Sequence, residues 1–319
     1  MKIFRIEFIL FLLLLLSTVI YRLYNSSKAS VVNTESENPH LIVLGIAQDA
    51  GYPQINCKKS CCINLWNNPK LKKLVSCIGI KDPESRKAWL IDATPDIKEQ
   101  LNDLLKDDYN LEGIFLTHAH MGHYTGLMEL GREAMGADAI PVYVMPKMKS
   151  YLETNGPWSQ LVKLKNINLI LIHDNQNVIL SETTSITPFS VPHRDEFSET
   201  VGYKISSTDK SALFIPDIDK WDKWNRDIKE EISKVDYALL DGTFYRNGEI
   251  WGRDMSEIPH PFIEESTILF DKINEEEQRK IHFIHLNHTN PLLDKYSEES
   301  KIFDNNAYHI AHEGQIIDL

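Results

Sequence analysis

Basic residues are the scarcer charge in this chain: 34 Lys and Arg stand against 46 Asp and Glu, for a formal net charge of −12 at pH 7. Phosphate backbones are bound by positive surfaces, so this balance disfavours nucleic acid as a bulk partner. It leaves room for a small anionic substrate held by metal. Cysteine is sparse as well, with four in 319 residues, and three of these fall in one loop. No internal repeat is visible. No apolar run reaches the ~20 residues that a spanning helix needs. The longest, Phe8 to Ile20, is interrupted by Ser17 and Thr18. No Cys follows it, which excludes a lipoprotein signal.

That short apolar core behind a basic start reads as a signal-peptide h-region or a short signal anchor over residues 1–25. Cleavage is left open, with Ser27-Lys-Ala29 as the only weak small-residue site. The expected location is therefore outside the cytoplasm, periplasmic or membrane-anchored through this segment if it is uncleaved. Residues 26–40 are polar and aperiodic, which suits a linker. With 42% hydrophobic and 25% charged residues, the remainder, 41–319, has the composition of a globular domain with a sizeable core. The order of apolar runs in it (Leu41–Gly45, Val75–Ile80, Ala88–Asp92, a helical pattern over Pro95–Leu105 with Thr94 as N-cap, then Gly113–Leu116) alternates strand and helix as in an α/β layer. Tyr124–Leu130 and Asp222–Ser233 carry helical spacing. Short strands recur at Ile140–Met145, Ile186–Val191, Val201–Ser206, Ser211–Ile215, Val235–Leu240 and Ile281–His285. A closing strand or hairpin lies within Ala307–Leu319.

The chemistry concentrates in Thr117-His-Ala-His-Met-Gly-His123, where a buried strand turns into a helix. Neutral imidazole is the commonest metal ligand, and His118, His120 and His123 converge on one turn. A His-rich surface loop is the bland alternative, but these histidines close an apolar strand rather than lie in a polar tract. A second cluster, Cys57, Cys61 and Cys62, lies in a loop rich in Gly, Pro and Asn. Thiolate binding of a structural zinc competes there with reduced or disulfide-bonded cysteines. Cys77 sits on an expected strand and reads as a small buried apolar residue.

The histidine turn resembles the HxHxDH signature of the metallo-β-lactamase superfamily, with Gly122 where that family usually has Asp. The resemblance implies a four-layer αββα sandwich and a metal site at its edge. It implies that His118, His120, His193 and Asp217 hold a zinc ion whose bound water is acidified towards pH ~7. His123 and His285, with Asp217 as the bridge, would hold a second metal. The family's Asp is a ligand of that second metal, so Gly122 implies a degenerate second site that Gly122→Asp would tighten. In branches with a cysteine knuckle the last motif is H-x-x-H, as in His285-Leu-Asn-His288. By position His285 would serve the active site, and His288 would join Cys57, Cys61 and Cys62 around a structural zinc. Leu44–Cys57, Leu240–Tyr245 and His285–Pro291 are similar to the PqqB branch, whose members act in pyrroloquinoline quinone biosynthesis. Asp241 and His260 are then read as groups facing the substrate or orienting a ligand, with His260 as an acid or base or merely exposed. The resemblance implies a metallohydrolase cleaving a phosphodiester, lactone or thioester with metal-bound hydroxide. An iron-dependent oxidoreductase, or a non-catalytic carrier in quinone cofactor biosynthesis, is the alternative.

Overall fold

Alternation decides the architecture. In β1 (His40–Gly45), β2 (Cys77–Asp82) and β3 (Lys87–Ile91), successive side chains point to opposite faces. Leu41, Val43, Ile78, Ile80, Trp89 and Ile91 fall into one apolar cluster. Leu44, Cys77, Ala88 and Leu90, their neighbours in sequence, fall into another. The first sheet is therefore buried on both faces. The second cluster packs under the helices Ile97–Leu104, Pro146–Thr154 and Trp158–Lys163. The first cluster lies between the sheets and continues through the second one to the helices Ile228–Ser233, Ile263–Phe270 and Glu298–Phe303. This is the four-layer αββα sandwich, as expected.

The computed structural model describes residues 36–319, of which Asn38–Leu319 forms one compact unit. The expected signal segment and residues 26–35 of the expected linker lie outside the described residues, and His40 already opens β1. Among the described residues no helix is long and apolar enough to cross a membrane. After β3 come β4 (Asn110–Phe115), β5 (Ile140–Val144) and β6 (Ile167–Leu171). The second half holds β7 (Val178–Ile179), β8 (Ser185–Ser190), β9 (Val201–Ser206), β10 (Ser211–Ile215), β11 (Tyr237–Asp241), β12 (Ile281–Ile284), β13 (His309–Ile310) and β14 (Ile316–Asp318). The sheet orders are β14-β1-β2-β3-β4-β5-β6 and β13-β12-β11-β10-β9-β8-β7. Of the closing strand or hairpin expected within Ala307–Leu319, the structure has no hairpin: β13 pairs with β12, and β14 closes the other sheet against β1.

Strand direction places the site. β1 is antiparallel to β2 and β2 to β3, while β3 and β4 are parallel, so β1, β3 and β4 run the same way. β8, β10, β11 and β12 share one direction in the other sheet by the same reasoning. Seven strand ends therefore deliver the segments that follow them to the edges where the sheets are cross-linked. Thr117 C=O accepts from Val201 N–H at 3.1 Å, and Ile46 C=O accepts from Leu286 N–H at 2.7 Å. Two local expectations are corrected here. The segment after His123 is a 3-10 helix over Thr125–Leu130, preceded by a single helical turn, Met121–Tyr124. Asp96, not Thr94, occupies the N-cap of Ile97–Leu104, and the Thr94 hydroxyl instead accepts from Asp96 N–H at 3.0 Å.

Candidate metal centre

Asp217, two residues past β10, sits at the middle of the strand-end cluster and is 2% exposed. Its Oδ2 lies 3.3 Å from His118 Nε2, 3.1 Å from His123 Nε2 and 3.5 Å from His285 Nε2. Its Oδ1 lies 3.5 Å from His193 Nε2 and 3.2 Å from His260 Nδ1. Two four-residue ligand sets share this carboxylate, and Asp241 and His260 form a smaller group with it. His118, His120, His193 and Asp217 make one, and Asp49, His123, Asp217 and His285 make the other. Within each set one ligand atom per residue falls within 4.8 Å of all the others. The sequence-derived ligands are thus brought together, with Asp49 added.

Hydrogen bonds from the protein settle which ring nitrogens face inward. His123 Nδ1 donates to Asp92 Oδ2 at 2.7 Å, and the Asp92 carboxylate also accepts from Thr117 N–H at 2.8 Å and from its hydroxyl at 2.9 Å. His285 Nδ1 meets the Thr243 hydroxyl at 2.9 Å, and that hydroxyl donates to Asp241 Oδ1 at 2.7 Å. His120 Nε2 is engaged with Glu196 at 3.1 Å, which leaves its Nδ1 for a metal. Such outer partners fix tautomer and orientation. The inward atoms His118 Nε2, His123 Nε2, His285 Nε2, Asp49 Oδ1 and Asp217 Oδ1 are buried without a hydrogen-bond partner. Each buried polar atom left unpaired costs ~1–3 kcal/mol, so five facing one small volume fit a cation in that volume. Asp92 and His285, each just past a strand, adopt left-handed backbone at φ 72° and 65°. Such conformations are costly for non-glycine residues and are held where the surroundings over-determine them.

Electrostatics divide the imidazoles into neutral ones and one that a cation must deprotonate, His123. Burial pushes His118 well below its usual value, helped by the neighbouring His123. It pushes His193 down to about 4 and lowers His285. These imidazoles are neutral at pH 7 and free to coordinate. Burial opposes ionisation of Asp217, yet His285 and His193 beside it hold its carboxyl well below the usual range. Burial likewise opposes charge on His123, but Asp92 and the contacts with Asp217 and Asp49 hold it well above its usual value.

Gly122 requires a correction. A Cβ built there would meet Asp49 Oδ1 at 2.2 Å and Asp49 Cα at 2.5 Å. The space of the expected missing carboxylate is already filled by another one, 3.3 Å from His123 Nε2 and 3.9 Å from His285 Nε2. The second set has four members, not three. Sequence reasoning passed over Asp49 because it lies in a Gly/Pro loop that was read for its cysteines. It passed over Asp92 too, although Asp92 ends an apolar strand, as Asp217 does.

His260 stands beside the shared carboxylate. Its Nδ1 lies 2.8 Å from Asp241 Oδ2, and it is 5% exposed. Burial works against its charged form, but Asp241 and Asp217 raise it above the usual histidine value. On the far side of the 285–288 segment, Cys57, Cys61, Cys62 and His288 form a third set with ligand atoms within 4.8 Å. All four cysteines of the chain are free thiols, and Cys77 is fully buried in β2. Burial pushes Cys62 up to about 12 and lowers His288 to about 4. Three soft sulfurs and a neutral imidazole are the donor set of a structural zinc site. Beside Asp49 a cavity of about 300 Å³ opens, walled by Tyr52, Trp66, Lys72 and Met121.

Residues 88–285 match the family model described as the beta-lactamase superfamily domain. The chain belongs to the beta-lactamase superfamily. Within it, the chain is similar to Coenzyme PQQ synthesis protein B. The protein of that name from Methylorubrum populi is 25% identical over 312 residues, covering 88% of this chain and 100% of the relative. The one from Acinetobacter baylyi is 24% identical over 311 residues, covering 87% and 99%. Among solved structures, Zn(2+)-bound PqqB from Methylobacterium extorquens superposes with a TM-score of 0.73 at 23% identity, covering 88% of this chain and all of that one. A diphosphatase of the PhnP family superposes with a TM-score of 0.64 at 22% identity, covering 88% and 97%.

Proposed function

We propose that the protein is a metal-dependent hydrolase of a small, ester-type substrate: a phosphodiester, lactone or thioester. The observation that carries this is Asp217, one buried carboxylate shared by two ligand sets, with the His260–Asp241 pair against it. Zinc in such a cradle supplies a Lewis acid and acidifies bound water to near-neutral pH, so no Ser or Cys nucleophile is required. The chain's own part is positional. Asp92 and Thr243 aim two imidazoles, and Asp217 joins the two sets. His260, held by Asp241, is the group that moves a proton to or from the reacting oxygen. The cavity beside Asp49 takes the non-reacting part of the substrate against Trp66 and Tyr52, and Lys72 lies within reach of an anionic substituent. Zinc also suits the Cys57–Cys61–Cys62–His288 set as a structural ion.

The test is metal analysis of the purified protein beside a panel of chromogenic phosphodiesters, lactones and thioesters. Zinc with turnover on one class supports the reading. The similarity to Coenzyme PQQ synthesis protein B over 88% of the chain favours one second reading, an iron-dependent oxidoreductase or a carrier for a quinone cofactor. A mixed His and carboxylate set suits iron as well. Iron with oxygen consumption and no ester cleavage would move the assignment there. The basic, apolar start of the chain further supports delivery outside the cytoplasm. A reporter fused after His40 that remains soluble and cytoplasmic would refute that delivery.

A further inference from the structure

We propose that Asp49 is the carboxylate ligand of the second metal, supplied by the loop after β1 in place of a carboxylate at position 122, and that Gly122 is required to admit it. The assignment rests on the two-metal reading above. Chain direction brings the loop there: β1 ends at the same edge as β3 and β4. Ala47 then forms isolated bridges to Val75 and Leu286, and Gln48 N–H donates to Leu286 C=O at 2.9 Å. Asp49 is thereby set against His285, one residue before Leu286, and against His123. Its Oδ1 is buried, has no hydrogen-bond partner, and lies nearest to the two inward nitrogens that also lack one.

The two positions exclude each other. Any side chain at 122 would drive its Cβ into the Asp49 carboxylate and backbone, and Asp49 Cα at 2.5 Å cannot rotate away. Gly122 and Asp49 therefore form one device, a carboxylate moved from one chain segment to another with its place in the cluster kept. A competing account is that Asp49 only pairs with a charged His123. Asp49→Asn separates the two. An amide keeps the shape and an oxygen acceptor, but it removes the anionic ligand.

The experiment is equilibrium zinc titration of metal-stripped full-length protein against a chelator of known affinity, with thermal melting of each metal-free form as the folding check. The wild type is expected to take two active-site equivalents besides the one at the cysteine set. Replacing groups that merely orient a ligand costs ~10–100-fold in metal affinity. Loss of a direct ligand in Asp49→Asn is therefore expected to weaken the second equivalent by at least ~100-fold and leave the first unchanged. Gly122→Asp alone is expected to weaken it too, and Asp49→Gly with Gly122→Asp to restore it. Asp49→Asn that binds both equivalents as the wild type does overturns the assignment alone. So does Gly122→Asp that binds the second equivalent more tightly. A wild type that accepts a single active-site equivalent even in excess zinc overturns the two-metal reading and the assignment with it.

Discussion

Asp92→Asn isolates the role of a residue that belongs to neither ligand set but holds one of their imidazoles. In the wild type the carboxylate accepts on both oxygens, from Thr117 N–H and its hydroxyl and from His123 Nδ1. A carboxylate can only accept, so Nδ1 of His123 carries a hydrogen, and a cation that displaces the Nε2 proton favoured by Asp217 and Asp49 meets the lone pair of that nitrogen. An asparagine has one acceptor. If its oxygen stays with Thr117, its NH₂ faces His123 Nδ1 and selects the opposite tautomer, with hydrogen on the ligating nitrogen. If it turns over, Thr117 N–H is left buried against an NH₂. Either arrangement gives up a charge-assisted hydrogen bond worth ~1.5–3 kcal/mol at a fully buried site. Converted at 1.36 kcal/mol per tenfold, that is a loss of ~10–150-fold in affinity at the second metal position. The first set contains neither Asp92 nor His123 and reaches Asp92 only through the Thr117 hydroxyl, which meets His118 Nδ1 at 3.0 Å, so its loss should be the smaller. Competition titration of stripped protein reads both equivalents separately. Unchanged affinity for two active-site equivalents in Asp92→Asn would refute the orientation argument, and equal loss at both would show general distortion instead.

Asp217→Ala should abolish binding of both active-site metals and all turnover, since both sets use it; hydrolysis surviving in that variant would show that the cluster is not the engine. His260→Ala should lower turnover while both metals stay bound, as read by metal content beside kcat, and joint loss of the two would make His260 structural. Trp66→Ala should raise KM with kcat largely kept if the cavity beside Asp49 holds the non-reacting part of the substrate; an unchanged KM would place that part elsewhere. Chelation, or Cys57→Ser, should lower the melting temperature as well as activity, because metal at the cysteine set contributes to folding free energy; a native disulfide among these cysteines, found by mass spectrometry, would reject that. Burial pushes the Glu249 carboxyl up from 4.5 to about 7, so the native state holds this proton more tightly than the unfolded chain does. Its stabilising contribution is full below pH 4.5 and is lost as pH rises through about 7. Glu249→Gln should thus lose less stability than wild type between pH 5 and 8, by up to ~3 kcal/mol in denaturant titrations, and parallel pH profiles would contradict the burial argument.

How much of this centre was readable from the chain depends on what each residue needed from its neighbours. His118, His120 and His123 announce themselves because a tight turn forces them together whatever the rest of the molecule does. His193, Asp217 and His285 are singled out by the resemblance, and each follows an apolar run, where a polar group is costly unless something receives it. The cysteine loop stays open from its residues alone between a zinc site and reduced or bridged thiols, and the resemblance adds His288, which the return of the 285–288 segment beside Ala47 and Gln48 brings to it. The choice between a closing strand and a hairpin within Ala307–Leu319 stays open from the sequence, because proximity along the chain favours local pairing. The separation of β13 and β14 follows from β14 burying Ile317 against the first sheet while β13 extends the second. Asp49 was illegible for a different reason. A departure at one position of a motif reads as loss when the motif is treated as a string, and Gly122 was read so. The physical requirement falls on a point in space between His123 and His285, and any segment whose strand direction leads to that edge can meet it. The absence of a side chain at 122 is then a steric condition for the Asp49 carboxylate, and the two positions carry meaning only as a pair.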